Sequence, residues 1–232
     1  MRESRTHAAA GQFAIAMMHA INDPLEAISN LNYLVQASSV DELQVSYYSA
    51  LLEKQLRVLA RIARQTRSFY LSGETTQASE IGLLLEAALH MHRRNIDGKK
   101  IRLIKRLPED VIAEIHPVAM LQVFASLLEN ALEALPDRGT LCVRLRRTNG
   151  KAHILVADNG HGIPDGIRLR VFDFFTTTKD QGQGLGLPVA KAIVERYRGM
   201  IRSRTSTLDG RNGTTFRISL PLRDYQAPAY VG

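Results

Sequence analysis

The stretch HAINDPL, from His19 to Leu25, combines a candidate nucleophile with a residue that disturbs helices. A neutral imidazole is a competent nucleophile near physiological pH, so the His19 side chain is suited to accept a transferred group. Pro24 cannot donate a hydrogen bond to the carbonyl of Ala20, and its ring crowds that carbonyl, so we expect the helix to bend and expose this turn. A histidine on an apolar helix face is more often a packed residue, however, and this stretch alone leaves both interpretations open.

Two glycine-rich stretches in the second half of the chain are suited to bind a phosphorylated ligand. In DNGHGIP, Asp158 follows the apolar run AHILVA, which predicts a buried strand. We expect this strand to hold the Asp158 carboxylate in a fixed position. Gly160 and Gly162 allow a ligand to approach the backbone closely, and we expect both at positive φ. Each such stretch alone is also typical of an ordinary turn.

The second stretch, QGQGLGL, leads into a predicted helix. Gly182, Gly184 and Gly186 come immediately before or at the start of that helix. Backbone N–H groups and the positive end of the helix can bind phosphates there.

The elements around these stretches alternate between helix and strand. The hydrophobic patterns predict helices at 81–94, 116–135 and 187–197, and strands at 101–107, 140–147, 152–157, 200–205 and 214–220. We therefore expect an α/β sandwich in which helices cover one face of a mostly antiparallel sheet.

Two long amphipathic helices are predicted ahead of this alternating region. Apolar residues recur at helical spacing from about Ala8 to Gln36 and again from Leu43 to Phe69. The short polar connection between them predicts an antiparallel hairpin. A single hairpin leaves an apolar face in water, so we expect two copies to pair as a homodimeric four-helix bundle. The small, polar stretch LSGETTQAS, 71–79, marks the joint between two domains.

Composition restricts the class of protein. The chain has 232 residues, 45% of them apolar, and one cysteine, which can form no internal disulfide. No apolar run approaches the roughly 20 residues that span a bilayer, and the N-terminus lacks the pattern of a signal peptide. We therefore expect a soluble, cytoplasmic protein with no membrane segment.

The formal net charge of +7 is unevenly distributed. Residues 1–80 carry seven Lys or Arg against eight Asp or Glu, whereas the remaining residues carry 23 against 15. The basic part suits a polyphosphate ligand or an acidic protein partner. No aromatic interleaving or groove-reading motif accompanies the basic blocks, so we expect no nucleic-acid partner.

Four stretches, taken together and in this order, resemble the ATP-binding domain shared by sensor histidine kinases, type II topoisomerases, the Hsp90 chaperones and the MutL mismatch-repair proteins. They are SLLENALEAL (126–135), DNGHGIP (158–164), VFDFFTTTKDQGQGLGL (171–187) and NGTTFRISL (212–220). The resemblance covers residues 80–222. It implies an α+β chain in which the second part is a Bergerat-type ATP-binding domain.

The resemblance also implies roles for individual residues. Asp158 would accept a hydrogen bond from the adenine amino group, and Asn130 would hold the Mg²⁺ that bridges the phosphates. The ATP-binding residues that it implies are Asn130, Asp158, Gly160, Gly162, Lys179, Gly182, Gly184, Leu185, Gly186 and Thr214. The segment 163–181 resembles a mobile lid over ATP, in which three phenylalanines are either a hydrophobic latch or ordinary core: Phe172, Phe174 and Phe175.

HAINDPL is similar to the HEINNPL-type motif of sensor histidine kinases, in which a helical hairpin dimer precedes the ATP-binding domain. This similarity implies that His19 is the phosphoacceptor. It implies transfer of the γ-phosphoryl of ATP to His19 and then to an aspartate of a response regulator. The implied domains are a dimerisation and phosphotransfer hairpin (1–72), a linker (73–79), the ATP-binding catalytic domain (80–222) and a tail (223–232).

The sequence departs from this pattern at two positions. The family's acidic residue directly after the histidine is Ala20 here, and Ser126 stands where some members carry Asn or an acidic group. Asp23 lies four residues after His19 and so shares its helix face. We hypothesise that Asp23 is the catalytic base that fixes the imidazole tautomer.

Ala20 also supports an alternative, a degenerate kinase that binds ATP and acts as a signalling scaffold. A third interpretation, a nucleic-acid-binding ATPase, rests only on the basic charge.

Overall fold

Two long helices form the N-terminal part of the molecule. The computed structural model describes residues 2–36, 41–71, 75–178, 184–208 and 212–222; within these, α1 spans Arg2–Gln36 and α2 spans Glu42–Leu71. The two helices pack against each other as a hairpin. The helix α2 begins at a side-chain cap, since Asp41 Oδ1 accepts a hydrogen bond of 2.8 Å from the backbone N–H of Gln44. The helix α1 continues through Pro24 without interruption, and the Pro24 side chain is buried.

The hairpin exposes many apolar side chains. On α1 and α2 the exposed large apolar residues include Ile15, Met18, Leu25, Tyr33, Leu34, Leu43, Tyr47 and Leu56. Besides Pro24, three described residues of the hairpin are buried: Met17, Ala20 and Ile62, which belong to the same hydrophobic core as the following domain. The helix α2 packs there against two helices of that domain, Pro117–Ala134 and Gly186–Arg196.

The second part is built on a five-stranded mixed sheet. In spatial order its strands are β2 (Arg102–Arg106), β4 (Thr140–Thr148), β5 (Lys151–Asp158), β7 (Gly213–Pro221) and β6 (Met200–Ser206). β2 pairs with β4 in parallel, and the other pairs are antiparallel. Alternate residues of the central strands are buried on one face, as the period of two requires.

Helices α5 (Pro117–Ala134) and α7 (Gly186–Arg196) pack on that buried face, and α3 (Ile81–Met91) packs against α5. The remaining helices of this part are short: α4 (Arg93–Gly98) and α6 (Asp165–Arg168). The helix α5 starts where Pro117 occupies its first turn and His116 Nδ1 accepts a hydrogen bond from Ala119 N at 3.4 Å. Its apolar side packs on the sheet through fully buried side chains such as Phe124, Leu127 and Leu128. The α+β fold is therefore confirmed.

Three features differ from the sequence-based expectations. The helix predicted at 81–94 ends at Met91, because the chain turns at His92 and restarts as α4. Two short strands, β1 (Gln77–Glu80) and β3 (Ile112–Ile115), pair as a small separate sheet that the hydrophobic pattern does not predict. β1 begins within the stretch 73–79 that the resemblance assigns to the linker. No described helix has both the length and the hydropathy that crossing a membrane requires.

Candidate nucleotide-binding site

A cavity of about 540 Å³ opens between α5, the loop after β5 and the start of α7. This volume lies within the range typical of small-molecule sites. The cavity brings together seven of the residues that the sequence implies for ATP binding: Asn130, Asp158, Gly162, Gly184, Leu185, Gly186 and Thr214. Lys179 and Gly182 lie outside the described residues.

Asp158 is fixed at the end of β5 by two backbone donors. Its Oδ1 accepts hydrogen bonds from Gly160 N at 2.9 Å and from Thr214 N at 3.2 Å. Burial raises the pKa of this carboxyl, and the two backbone hydrogen bonds and the nearby His161 oppose that rise. Among the described residues both donors bind Oδ1, so Oδ2 is the oxygen that can accept a hydrogen bond from a ligand.

Gly160 does not line the cavity, and its φ is not positive, so the expected left-handed conformation is wrong at this position. The reason for a glycine is instead a close approach, since a Cβ here would overlap the carbonyl of Ala134 on α5. Gly162 does adopt a positive φ of 77°, and a Cβ there would overlap the carbonyl oxygen of Ser206. The two glycines thus let the loop pack closely against α5 and β6.

Asn130 lies on the face of α5 that borders the cavity. Its Nδ2 donates a hydrogen bond of 2.9 Å to Ser126 O, one helical turn earlier, and this bond fixes the orientation of the amide. Glu129 and Glu133 of the same helix also line the cavity. Amide and carboxylate oxygens are the ligands that Mg²⁺ prefers, together with phosphate oxygens. The donor set therefore fits a magnesium ion bound jointly with a nucleotide, although the described residues contain no cluster of three metal-ligating side chains.

Sequence reasoning missed several lining residues. Besides Glu129 and Glu133, these include His161, whose Nδ1 lies 2.7 Å from Gly162 O, and Thr176. Thr176 Oγ1 is buried and has no hydrogen-bond partner among the described residues, so it can donate to a ligand. The only sequence signal for these residues is that they lie next to, or within one helical turn of, a predicted site residue.

The segment after α6 forms part of the cavity wall. Phe172 and Phe174 pack against the hydrophobic core, and the Phe172 ring makes an edge contact with Phe216 at a centroid distance of 6.4 Å. Phe175, by contrast, is exposed and has a φ of 62°. For Phe172 and Phe174 the core interpretation therefore fits the structure, whereas Phe175 is free of the core.

His19 and Asp23 are both exposed on α1, whereas Ala20 between them is buried. Neither exposed residue lines the nucleotide cavity. Because His19 is exposed, its side chain lies outside the core of this chain, and the imidazole is accessible to another surface.

Comparison with known proteins agrees with this geometry. Residues 115–224 match the family model described as "Histidine kinase-, DNA gyrase B-, and HSP90-like ATPase". The chain is 30% identical to Sporulation kinase A of Bacillus subtilis over 96% of its own length and 36% of that protein. It is 31% identical to the C4-dicarboxylate transport sensor protein DctB of Rhizobium meliloti, over 90% of its own length and 34% of that protein.

Solved structures agree on the fold. The nucleotide-free catalytic domain of the histidine kinase ThkA matches with a TM-score of 0.58 and 25% identity, over 64% of this chain and 96% of that one. ThkA in complex with the response regulator protein TrrA matches with a TM-score of 0.71 and 20% identity, over 98% of this chain and 66% of that one.

The chain spans only about a third of the length of the first curated relatives it matches, 36% and 34% respectively. The match to the family model, at residues 115–224, covers the whole cavity, from α5 to β7. Residues 115–224 thus carry an ATP-binding domain of the histidine kinase-, DNA gyrase B- and HSP90-like ATPase family, and the chain as a whole is similar to the ATP-binding catalytic core of sensor histidine kinases.

Proposed function

We propose that this protein is an ATP-dependent, autophosphorylating histidine kinase of a two-component system. The observation that carries the proposal is that one chain holds both the cavity around Asp158 and an exposed imidazole, His19, in a HAINDPL motif. The reaction consumes ATP, so we place it in the cytoplasm.

ATP binding uses groups that the cavity already holds in place. Asp158 Oδ2 accepts a hydrogen bond from the adenine amino group while Oδ1 stays bound to the backbone. The phosphates lie toward Gly184 and Gly186, where the backbone N–H groups at the start of α7 are not used within the helix. Mg²⁺ held through Asn130 would neutralise charge on the phosphates during transfer.

The chemical step transfers one phosphoryl group. A lone pair on a ring nitrogen of His19 attacks the γ-phosphorus, the bond from that phosphorus to the bridging oxygen breaks, and ADP leaves with the electron pair. The other ring nitrogen then loses its proton. Ala20 cannot accept it, and Asp23 is the carboxylate one helical turn away on the same exposed side of α1. We therefore assign Asp23 as the base that orients the imidazole and receives this proton.

His19 does not line the cavity, so transfer requires the hairpin and the ATP-binding domain to approach each other. The exposed apolar side chains of α1 and α2 support a homodimer, because pairing two hairpins as a four-helix bundle would remove them from water. In such a dimer the approaching cavity belongs either to the same subunit or to the partner.

Phosphate on His19 would then pass to an aspartate of a response regulator. A histidine kinase of similar fold, ThkA, has been solved in complex with the response regulator protein TrrA. The exposed position of His19 allows a second protein to reach the same side chain after the ATP-binding domain has moved away.

Label transfer from ATP carrying a radioactive γ-phosphate tests the proposal. We expect acid-labile label on the wild-type protein and none on His19→Gln, with nucleotide affinity unchanged. His90→Gln is the matched control, because His90 is exposed on α3 and distant in sequence from both sites, and it should label like the wild type.

Two results would contradict it. Persistent label on His19→Gln would mean that another residue is the acceptor. Tight nucleotide binding without any label on the wild type would favour the signalling scaffold, which Ala20 supports.

A further inference from the structure

The outer face of the five-stranded sheet, opposite the helices, carries a cluster of cationic side chains that the proposed kinase reaction does not use. In β4, β5, β6 and β7 this face carries the residues that alternate with the buried ones, and the register with β4 assigns the residues of β2. Its basic residues are Arg102, Arg106, Arg144, Arg146, Lys151, His153, Arg202, Arg204 and Arg217. Within the five strands this face carries no Asp or Glu.

The strand register aligns four arginines in one row across the sheet. Arg106 pairs with Arg144, and Arg144 pairs with Leu155. Leu155 pairs with Arg217, which in turn pairs with Arg202. Neighbouring strands lie about 4.8 Å apart, so the backbones of Arg144 and Arg217 are about 10 Å apart with Leu155 between them.

A cavity of about 320 Å³ lies at the centre of this row. It is lined by Arg144, Arg146, His153 and Arg217, with Leu155 supplying apolar surface between the arginines. The volume is at the lower end of the range typical of small-molecule sites. The site is therefore a hollow bordered by arginine and histidine side chains, with much of its lining surface apolar.

The charges of this hollow are not neutralised within the described part of the chain. Arg144 Nε is buried and has no hydrogen-bond partner there. No described carboxylate lies within ion-pair distance of Arg144, Arg146 or Arg217. Like charges held this close repel each other, and a bound anion would remove that repulsion and satisfy the buried donor.

We propose that this hollow is a second ligand site, which binds a small molecule carrying two or more phosphate groups. Guanidinium groups bind phosphate oxygens through paired hydrogen bonds, and arginines on both sides of Leu155 suit a ligand whose charges are spread over several groups. The strands expose no Phe, Tyr or Trp on this face, so a stacking platform for nucleic-acid bases is absent from the described sheet.

Calorimetric titration tests the proposal on the full chain. The nucleotide cavity is first saturated with Mg²⁺ and a non-hydrolysable ATP analogue, so that further binding reports another site. Tripolyphosphate and GTP are then titrated separately. Equal affinity for the two would assign recognition to phosphate alone, and tighter binding of GTP would assign a role to the base; either result supports the site.

Two double variants with the same change of net charge test whether tripolyphosphate binds at the hollow or is attracted by net charge alone. Arg144→Gln with Arg217→Gln should weaken tripolyphosphate binding at least about 10-fold, because two charge-assisted contacts are lost. Arg93→Gln with Arg94→Gln changes the net charge equally at exposed positions on α4 and should weaken it less than about 2-fold. Retained binding of the ATP analogue shows that a variant is folded, and Arg217→Gln alone replaces the double variant if it is not.

Three results would overturn the proposal. In the first, the wild type binds neither tripolyphosphate nor GTP; in the second, the two double variants weaken tripolyphosphate binding equally. The third result is that a poly-glutamate peptide or a DNA duplex binds more tightly than tripolyphosphate, and that Arg144→Gln with Arg217→Gln removes this binding. The last result would assign the face to an acidic macromolecule instead.

Discussion

The nucleotide cavity and α1, the helix that carries the proposed phosphoacceptor His19, differ in how the fold holds their functional groups. Asp158 is half-buried, and two backbone amides bind its Oδ1, one from the loop after β5 and one from β7. His19 is exposed on one helix, with no hydrogen-bond partner among the described residues. Substitutions in the cavity therefore disturb binding and fold together, whereas substitutions of His19 and of the exposed Asp23 should change the transfer step alone.

The largest expected effect tests whether the two regions share one core. Ile62 of α2 is 1% exposed and belongs to the core that includes α5 and α7. Ile62→Ala should lower the free energy of unfolding by about 3 kcal/mol, because the truncation removes buried apolar contacts and leaves a cavity. Thermal and urea unfolding followed by circular dichroism measure this loss.

Leu83→Ala is the matched control, since Leu83 is 64% exposed on α3 and its truncation should cost under about 0.5 kcal/mol. If Ile62→Ala lowered the free energy of unfolding as little as this control, the hairpin and the ATP-binding domain would not share a core. They would then be two separate folding units.

The second effect concerns binding. Asp158→Asn should weaken ATP-analogue binding about 100-fold, because an amide in place of the carboxylate loses a charge-assisted hydrogen bond and can turn its NH₂ toward two buried donors. Autophosphorylation should fall in parallel at subsaturating ATP. Titration calorimetry of Asp158→Asn against Asp165→Asn, an exposed carboxylate in α6, provides the measurement. Similar affinities for the two variants would remove Asp158 from the site.

The order of the elements could be predicted from the sequence, because long apolar patterns and glycine stretches depend on local spacing. The small sheet of β1 and β3 could not, since each strand has only four residues and its partner lies more than thirty residues away. The row of four arginines across the sheet could not be predicted either, because it depends on which strands pair and in which register.

In the cavity, too, residues within a local motif could be predicted and residues set by long-range contacts could not. Asp158 and Gly162 could be predicted from one motif, and the structure places both in the cavity wall. The expectation for Gly160 failed because its constraint is a long-range contact with Ala134, which no local pattern reports. Thr176 was missed for the same reason, since its burial depends on how the segment after α6 folds back on the cavity.

The third effect tests the close packing of the cavity loop. Gly162→Ala should lower stability by about 2 kcal/mol, because alanine is strained at a φ of 77° and its Cβ would displace the Ser206 carbonyl. Gly166→Ala is the control in the adjacent helix α6, where an added Cβ meets no atom within 4 Å outside the helix's own backbone. Melting temperatures and ATP-analogue affinities are compared. Equal melting temperatures and affinities for the two variants would show that the loop around Gly162 adjusts without loss of stability. The cavity would then be no more rigid than α1.

The smallest effect is expected on α1, at Asp23. Asp23→Asn should lower the rate of autophosphorylation about 10-fold, because the amide no longer accepts the proton or holds the imidazole tautomer. Binding of the ATP analogue should stay unchanged, since Asp23 does not line the cavity. Single-turnover label transfer at saturating ATP measures the rate.

Glu26→Gln is the control for this last variant, because Glu26 is another exposed carboxylate on α1 but lies seven residues from His19. The dependence of the rate on added buffer base separates a proton acceptor from a merely structural role. With Asp23 in place the rate should not depend on the buffer concentration, whereas in Asp23→Asn it should rise with that concentration as the medium takes over proton removal. The same dependence in both proteins would assign proton removal to a group outside α1, and two carboxylates of the cavity, Glu129 and Glu133, would be the next to substitute.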